Sequence, residues 1–146
     1  MPPLHKRGGH SIFGTLEEDD MPVIHVRALP QPAAVDIQRV LKDIACAVAI
    51  ATSMPAHRVF ATWETIQNGW FVEGETAAAT QQKATHPPIV SLTAFEGRSS
   101  ETIRKMITAI ADTLAKHLPI EAGNAFISYI EAKSGQIFTG GAIKER

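Results

Sequence analysis

The stretch DDMPVIHVRALP, residues 19–30, contains a proline whose chemistry depends on its place in the chain, because a Met-Pro pair leads at once into a strand-like run. A proline nitrogen at the start of a chain is a secondary amine with a usable lone pair, and an α-amino group titrates near ~8. Inside a chain the same nitrogen is a tertiary amide, whose lone pair is delocalised into the carbonyl and is not basic. Since a strand-like run follows it at once, Met21-Pro22 resembles a chain start, but it lies well inside the sequence, directly after the four acids Glu17 to Asp20.

Composition gives little support to other chemistries. The 6 histidines are scattered without ligand-like spacing, and the 1 cysteine, Cys46, forms neither a disulfide framework nor a thiolate cluster, so we expect no metal and no cofactor. The 14 basic and 15 acidic residues nearly balance, which predicts no nucleic-acid or membrane partner. No run approaches the ~20 apolar residues of a spanning helix. Residues 1–20 lack the apolar segment of a secretion signal, so a cytoplasmic protein is expected.

The sequence pattern around Pro22 recurs further along the chain at a constant offset. This offset carries Pro22 onto Pro88 and is here called the repeat offset. The other matched pairs are Ile44 with Ile110, Phe60 with Phe126, Trp63 with Tyr129, Gly69 with Gly135 and Gly74 with Gly140. Chemical types agree along most of each copy without a gap, so we interpret the chain as a duplication. The predicted divisions are an extension (1–20) and one domain (21–146), with repeat one at 21–75, a linker at 76–86 and repeat two at 87–141.

Each repeat predicts a strand, a helix and a second strand. The opening runs PVIHVRAL and PIVSLTAF alternate as strands do. One apolar stripe then follows at three- and four-residue spacing, as on a helix packed by one face. Ser99 or Ser100 can cap the second helix, and Pro55 and Pro119 mark the helix ends. The second strands are RVFATWE and AFISYIE, and a glycine-containing turn and a short segment close each repeat.

Two such units predict an α/β fold, specifically a two-layer α+β sandwich. Strands joined by a helix are most simply parallel, with the helix on one face, so we expect a four-stranded mixed sheet with both helices on the same side. Val59, Ala61 and Trp63 alternate with Phe60 and Thr62, so apolar side chains are expected on the uncovered face as well. A second subunit is the expected cover.

At this point EGRSSETIRK (96–105) after a strand and AFISYIEAKSGQIFTGG (125–141) resemble the tautomerase superfamily. Its members include 4-oxalocrotonate tautomerase, a single β-α-β unit, and longer two-unit relatives such as cis-3-chloroacrylic acid dehalogenase, malonate semialdehyde decarboxylase and the macrophage migration inhibitory factor group. The resemblance covers residues 21–141. It implies a homotrimer and a keto-enol tautomerase, an isomerase, that acts on a small anionic 2-oxo or unsaturated carboxylic acid.

The resemblance also implies roles for particular residues. Pro22 corresponds to the amino-terminal proline that serves as the family's general base. Arg98 corresponds to the arginine that holds the substrate carboxylate, and Arg58 matches a second arginine within one position. Residues proposed to wall a pocket, with core packing as the alternative for the aromatic ones, are Trp70, Phe71, Phe95, Phe138 and Tyr129, and Glu131 could position a water or hydroxyl or be a strand-end charge.

Departures from the family limit the prediction. Phe95 stands where the dehalogenase has the first of two arginines, which argues against dehalogenation. Pro32 aligns with Arg98 in the other repeat, so one competent site per chain is expected. If residues 1–20 remain attached, Pro22 has no basic nitrogen. Two possibilities then stay open: another base such as Pro2, or a divergent member that binds a ligand or partner or acts as a hydratase or decarboxylase.

Overall fold

The computed structural model describes residues 20–145, so the predicted alternative base Pro2 lies outside the described residues. Two β-α-β units follow one another, each ending in a small hairpin. The elements are β1 (Val23–Ala28), α1 (Ile37–Thr52), β2 (Phe60–Thr65), β3 (Phe71–Glu73), β4 (Thr76–Ala78), β5 (Ile89–Phe95), α2 (Ser100–His117), β6 (Phe126–Ala132), β7 (Ile137–Thr139) and β8 (Ala142–Lys144). Every strand of the second unit starts at the repeat offset from its counterpart in the first.

The four long strands form one mixed sheet in the order β2-β1-β5-β6. β1 and β2 are parallel, β5 and β6 are parallel, and β1 and β5 run antiparallel at the centre. Both helices pack on one face of this sheet, against each other and against the strands. The predicted two-layer fold with a four-stranded mixed sheet is therefore confirmed.

Local sequence explains where the helices begin and end. The side chain of Asp36 accepts a hydrogen bond from the Arg39 N–H at the start of α1, and Ser53 ends that helix in the left-handed conformation. Ser99 caps α2 by accepting from the Thr102 N–H at 3.1 Å. Glu101 lies in the first turn of α2, and Lys116 and His117 lie in the last, which complements the helix dipole.

The core lies between the helices and one face of the sheet. Fully buried side chains come from both central strands and both helices: Ile24, Val26, Val90, Leu92, Val40, Ile44, Val48, Met106, Ile110 and Leu114. Each such side chain stabilises the fold by about 1.5–3 kcal/mol relative to exposure. The apolar stripes predicted for the helices thus face the sheet.

The other face of the sheet, here called the outer face, differs from the expectation of a plainly apolar surface. Ala61 and Trp63 turn toward the helices, and Trp63 packs against the core, so they do not contribute to the outer face. A polar row crosses its centre, where Thr62, His25, Ser91 and Ser128 are neighbours in register. Exposed apolar side chains flank this row: Val23, Phe60, Phe126 and Ile130. Strand alternation was predicted correctly, but which set of side chains met the helices was not.

The small hairpins β3-β4 and β7-β8 are antiparallel and separate from the main sheet. Strand β4 lies in the segment that sequence analysis assigned to the linker. Gly69 and Gly135 both adopt φ +83° at matching turns before these hairpins, a conformation that disfavours side-chain-bearing residues. No helix among residues 20–145 is long and apolar enough to cross a membrane.

Candidate functional site

The antiparallel pairing of β1 and β5 places Pro22 beside the residues that follow β5. Val23 is opposite Thr93, so the residues before Val23 approach the segment that leads to Arg98. Pro22 itself is buried, its nitrogen lies in the Met21–Pro22 peptide bond, and its carbonyl accepts a hydrogen bond from the Phe60 N–H at 2.9 Å. We call this end of the sheet the Pro22 corner.

A carboxylate from the chain itself occupies the Pro22 corner. Both Nε and Nη2 of Arg98 donate to Oδ2 of Asp20, and the Phe95 N–H donates to Oδ1 at 3.1 Å. The Asp20 side chain is 1% exposed and that of Arg98 is 14% exposed. Because both carboxylate oxygens are engaged by a cation and a backbone N–H, this is a formed carboxylate-binding arrangement that lies two residues from Pro22.

An apolar cavity of about 210 Å³ adjoins this arrangement. It lies where the start of β1, the start of β2 and the end of β5 meet the β7 strand. The lining residues are Met21, Val23, Phe60, Thr93, Ala94, Phe95, Ile137, Phe138 and Thr139. None of them is charged. Thr139 Oγ1 donates to Met21 Sδ at 3.5 Å, which joins the β7-β8 hairpin to the residue before Pro22.

The structure brings together some of the predicted site residues. Arg98 and the Phe95 N–H both bond to Asp20, two residues before Pro22, and Phe95 and Phe138 line the cavity. Arg58 lies in the short 3₁₀ turn just before β2, at the same end of the sheet, because Phe60 bonds to Pro22.

Other predicted pocket residues lie elsewhere. Trp70 is 74% exposed on the turn before β3, and Phe71 packs edge-on against the ring of His86 at 5.1 Å between centroids. Tyr129 packs against the core on the helix-facing side of β6. Glu131 pairs with Lys133 at 3.8 Å. None of these four lines the cavity.

Asp20 is the important residue that sequence analysis did not single out. The acidic run Glu17 to Asp20 directly precedes Met21-Pro22 in the sequence, but nothing in its pattern distinguished one acid from the next. The distinguishing fact is tertiary, since only the β1-β5 pairing brings Asp20 to Arg98.

The opposite end of the β1-β5 pair forms a second, related corner around Pro88. The Phe126 N–H donates to the Pro88 carbonyl at 2.9 Å, as Phe60 does to Pro22. Pro32 is the residue that the repeat offset matches with Arg98, so this corner has no arginine at that position. His86 is likewise matched with Asp20, and its Nε2 pairs with the Thr76 carbonyl at 2.8 Å instead. The carboxylate-binding arrangement thus belongs to one corner.

No group of three or more His, Cys, Asp or Glu residues within 20–145 is placed to hold a metal ion. The charged side chains at the Pro22 corner include the paired Asp20 and Arg98, with Arg58 at the same end of the sheet.

Comparisons with known proteins show the fold. No family model and no curated protein sequence matches this chain. A solved structure of Pt0534 inactivated by 2-oxo-3-pentynoate superposes with a TM-score of 0.74 at 16% identity, over 84% of this chain and 94% of that one. A fused 4-OT wild-type asymmetric trimer gives 0.71 at 18% identity, over 83% and 94%. N1, a member of the cis-3-chloroacrylic acid dehalogenase family, gives 0.64 at 13% identity, over 84% and 82%. The resemblance to the tautomerase superfamily drawn from sequence is therefore confirmed at the level of the fold.

Proposed function

We propose that the domain is a tautomerase-type isomerase for a small 2-oxo or enol carboxylic acid. The observation that carries this proposal is the carboxylate bound between Arg98 and the Phe95 N–H, two residues from Pro22 and beside an apolar cavity. In this proposal a substrate carboxylate takes the place of the Asp20 carboxylate, which Met21 alone separates from Pro22 along the chain. The fold shared with fused 4-OT and Pt0534 supports the same class of reaction.

Each group has a role in the proposed reaction. Arg98 and the Phe95 N–H hold the carboxylate, and the apolar cavity takes the rest of the substrate. The amine of Pro22, in a chain that begins there, accepts the enol hydroxyl proton while the C–O bond becomes a carbonyl. The electrons of the C=C bond take a proton at the neighbouring carbon, and the amine returns to its neutral form by delivering it. Arg58 is proposed as a second contact to the anion.

The proposal includes a homotrimer with one site per chain. Fused 4-OT is described as a trimer, and this chain leaves Phe60, Phe126 and Ile130 exposed on its outer face. Burial of these side chains against another copy would remove apolar surface from water. Since Pro32 replaces the arginine at the Pro88 corner, that corner is proposed to be inactive. The cytoplasmic location and the division into repeats remain predictions.

Covalent labelling tests the proposal directly. Pt0534 is inactivated by 2-oxo-3-pentynoate, whose conjugated alkyne accepts an amine by addition. We expect a protein that begins at Pro22 to gain the mass of the whole reagent, with the adduct on Pro22, because the nitrogen adds to the alkyne and nothing leaves. Full-length protein should stay unlabelled at Pro22 because an amide nitrogen is not nucleophilic. Labelling spread over lysines, with Pro22 unmodified in the shorter protein, would refute the assignment.

A second candidate function is non-catalytic binding by the full-length chain. It is favoured by one observation: with residue 21 attached, Pro22 is an amide and Arg98 already holds a carboxylate. Such a chain would present an uncharged apolar cavity of about 210 Å³. Turnover of a 2-oxo acid by full-length protein, lost on Pro22→Ala, would exclude this alternative.

A further inference from the structure

We propose that Asp20 is an internal ligand of the carboxylate site, so that the full-length chain fills with its own side chain a site that takes a small monocarboxylate when Asp20 leaves. The inference deepens the proposed function and rests on it only in taking Arg98 as the substrate contact. It concerns binding, and it can therefore hold whether or not the protein catalyses a reaction.

The contact has the chemistry of a bound ligand on both oxygens. Oδ2 accepts from two nitrogens of one guanidinium, and Oδ1 accepts from a backbone N–H. A free acetate or 2-oxo acid offers the same two oxygens in the same plane. The groups that recognise Asp20 therefore do not depend on the rest of the aspartate residue.

The surroundings make an occupant necessary. The Arg98 side chain is 14% exposed, and a charge that is mostly removed from water needs a partner to offset its lost hydration. Within the contacts described at this corner, Asp20 provides that partner. If Asp20 is removed, Arg98 is left as a buried cation next to a cavity wide enough for a small organic acid, and a carboxylate in solution becomes its natural replacement.

The tether makes Asp20 a strong competitor. Asp20 is two residues from Pro22, whose buried position and bond to Phe60 hold this part of the chain on the sheet. A ligand attached by so short a link acts at an effective concentration in the millimolar range or above. An external carboxylate can bind only while Asp20 is out of the site. A carboxylate that binds the open site at micromolar concentration therefore has a lower apparent affinity for the full-length chain, reduced by the fraction of time that the site is open.

The repeat shows that this contact is a feature of one corner. The position equivalent to Asp20 in the second repeat is His86, whose ring nitrogens pair with the Thr76 carbonyl and the Thr85 hydroxyl. The position equivalent to Arg98 is Pro32, which cannot pair with an anion. The acid and the arginine therefore occur together at one corner and are both absent from the corresponding positions of the other.

Acetate rescue of Asp20→Ala tests the inference. Thermal unfolding is followed for the parent and for Asp20→Ala, in acetate and in chloride at equal ionic strength. We expect acetate to raise the melting temperature of Asp20→Ala and to leave the parent unchanged, because only the variant has an open site. The matched control is Asp19→Ala, which removes the same charge one residue earlier and should behave as the parent. Arg98→Ala added to Asp20→Ala should abolish the rescue.

A calorimetric titration with pyruvate provides a second measurement if Asp20→Ala does not fold. Asp20→Asn keeps the size of the side chain and removes the charge, and it should bind pyruvate at least about tenfold more tightly than the parent, since the internal competitor is weakened. Equal pyruvate affinity in parent and Asp20→Asn, no acetate effect on a folded Asp20→Ala, or an equal effect in Asp19→Ala would each overturn the inference. Acetate rescue of Asp20→Ala, together with no isomerase activity in the protein that begins at Pro22, would instead overturn the proposed function alone.

Discussion

A protein that begins at Pro22 is expected to be a much better tautomerase than the full-length chain. The shortened protein differs at the site in two ways. Its Pro22 nitrogen is a free secondary amine, and its Arg98 has lost the Asp20 carboxylate. Full-length Asp20→Asn is the matched comparison, since it weakens the contact to Arg98 while Pro22 stays an amide.

The two changes act on different kinetic constants. A positioned general base contributes about 10²–10⁴-fold to the chemical step, which should appear in kcat. A charge-assisted hydrogen bond to a carboxylate is worth about 1.5–3 kcal/mol, or roughly 10- to 150-fold in affinity. Against these gains, removal of one partner of a buried ion pair destabilises a fold by about 3–5 kcal/mol, so part of the shortened protein could be unfolded. We therefore expect kcat/KM to rise by at least ~10-fold, with the largest part in kcat.

The assay follows the ketonisation of phenylpyruvate or 2-hydroxymuconate by ultraviolet absorbance. Circular dichroism gives the folded fraction of each protein. Asp20→Asn should lower KM and leave kcat near the parent value, whereas the protein that begins at Pro22 should raise kcat. If the full-length and shortened proteins have equal activity, and Pro22→Ala leaves the activity of both unchanged, the proline mechanism is refuted. The base must then be sought at Pro2 or in a side chain.

Two further predictions concern the anion contact and the assembly. Arg98→Ala in the protein that begins at Pro22 should raise KM for an acidic substrate by roughly 10- to 150-fold with the fold intact, because a charge-assisted contact of about 1.5–3 kcal/mol is lost; an unchanged KM for a 2-oxo acid would remove Arg98 from the site. Light scattering at micromolar protein should give the mass of a trimer, since Phe60, Phe126 and Ile130 need a cover on the outer face, and a clean monomer mass would contradict the assembly.

Sequence periodicity was sufficient to predict the fold because the strand-helix-strand pattern occurs twice along the chain. The repeat offset, which carries Pro22 onto Pro88, established which segments correspond, and the strands do start at that offset. The short strand β4 was not predicted, because Thr76–Ala78 is too short to show an alternating pattern. The sequence also did not predict which side chains lie on the outer face of the sheet. Its polar row depends on the register that sets His25 beside Thr62 and Ser91, and register follows from strand pairing.

A site residue could be predicted from sequence when its type and motif imply a role. It could not be predicted when its role depends on which residues lie next to it in the folded chain. The motif after β5 picked out Arg98, and the structure pairs it with Asp20, two residues before Pro22. The structure was needed to tell which aromatic candidates are pocket residues and which are core residues. Phe138 lines the cavity, whereas Tyr129 lies against the core. A side chain on a strand or turn can point to either side, and composition alone does not tell which.

Comparison with the Pro88 corner helps to decide whether the Asp20–Arg98 pair stabilises the fold or reflects a carboxylate-binding site. The two corners share their backbone arrangement, with a proline carbonyl accepting from the first residue of the neighbouring strand at 2.9 Å in each. At the Pro88 corner this arrangement forms with Pro32 in the position of the arginine, so an ion pair at these two positions is not needed for a corner of this fold to close. A buried ion pair is also weak evidence for stability, because desolvation offsets much of the attraction. The pair at the Pro22 corner is therefore better explained by what Arg98 binds there, which is a carboxylate: Asp20 in the full-length chain and, under the proposed function, a substrate when Asp20 is gone.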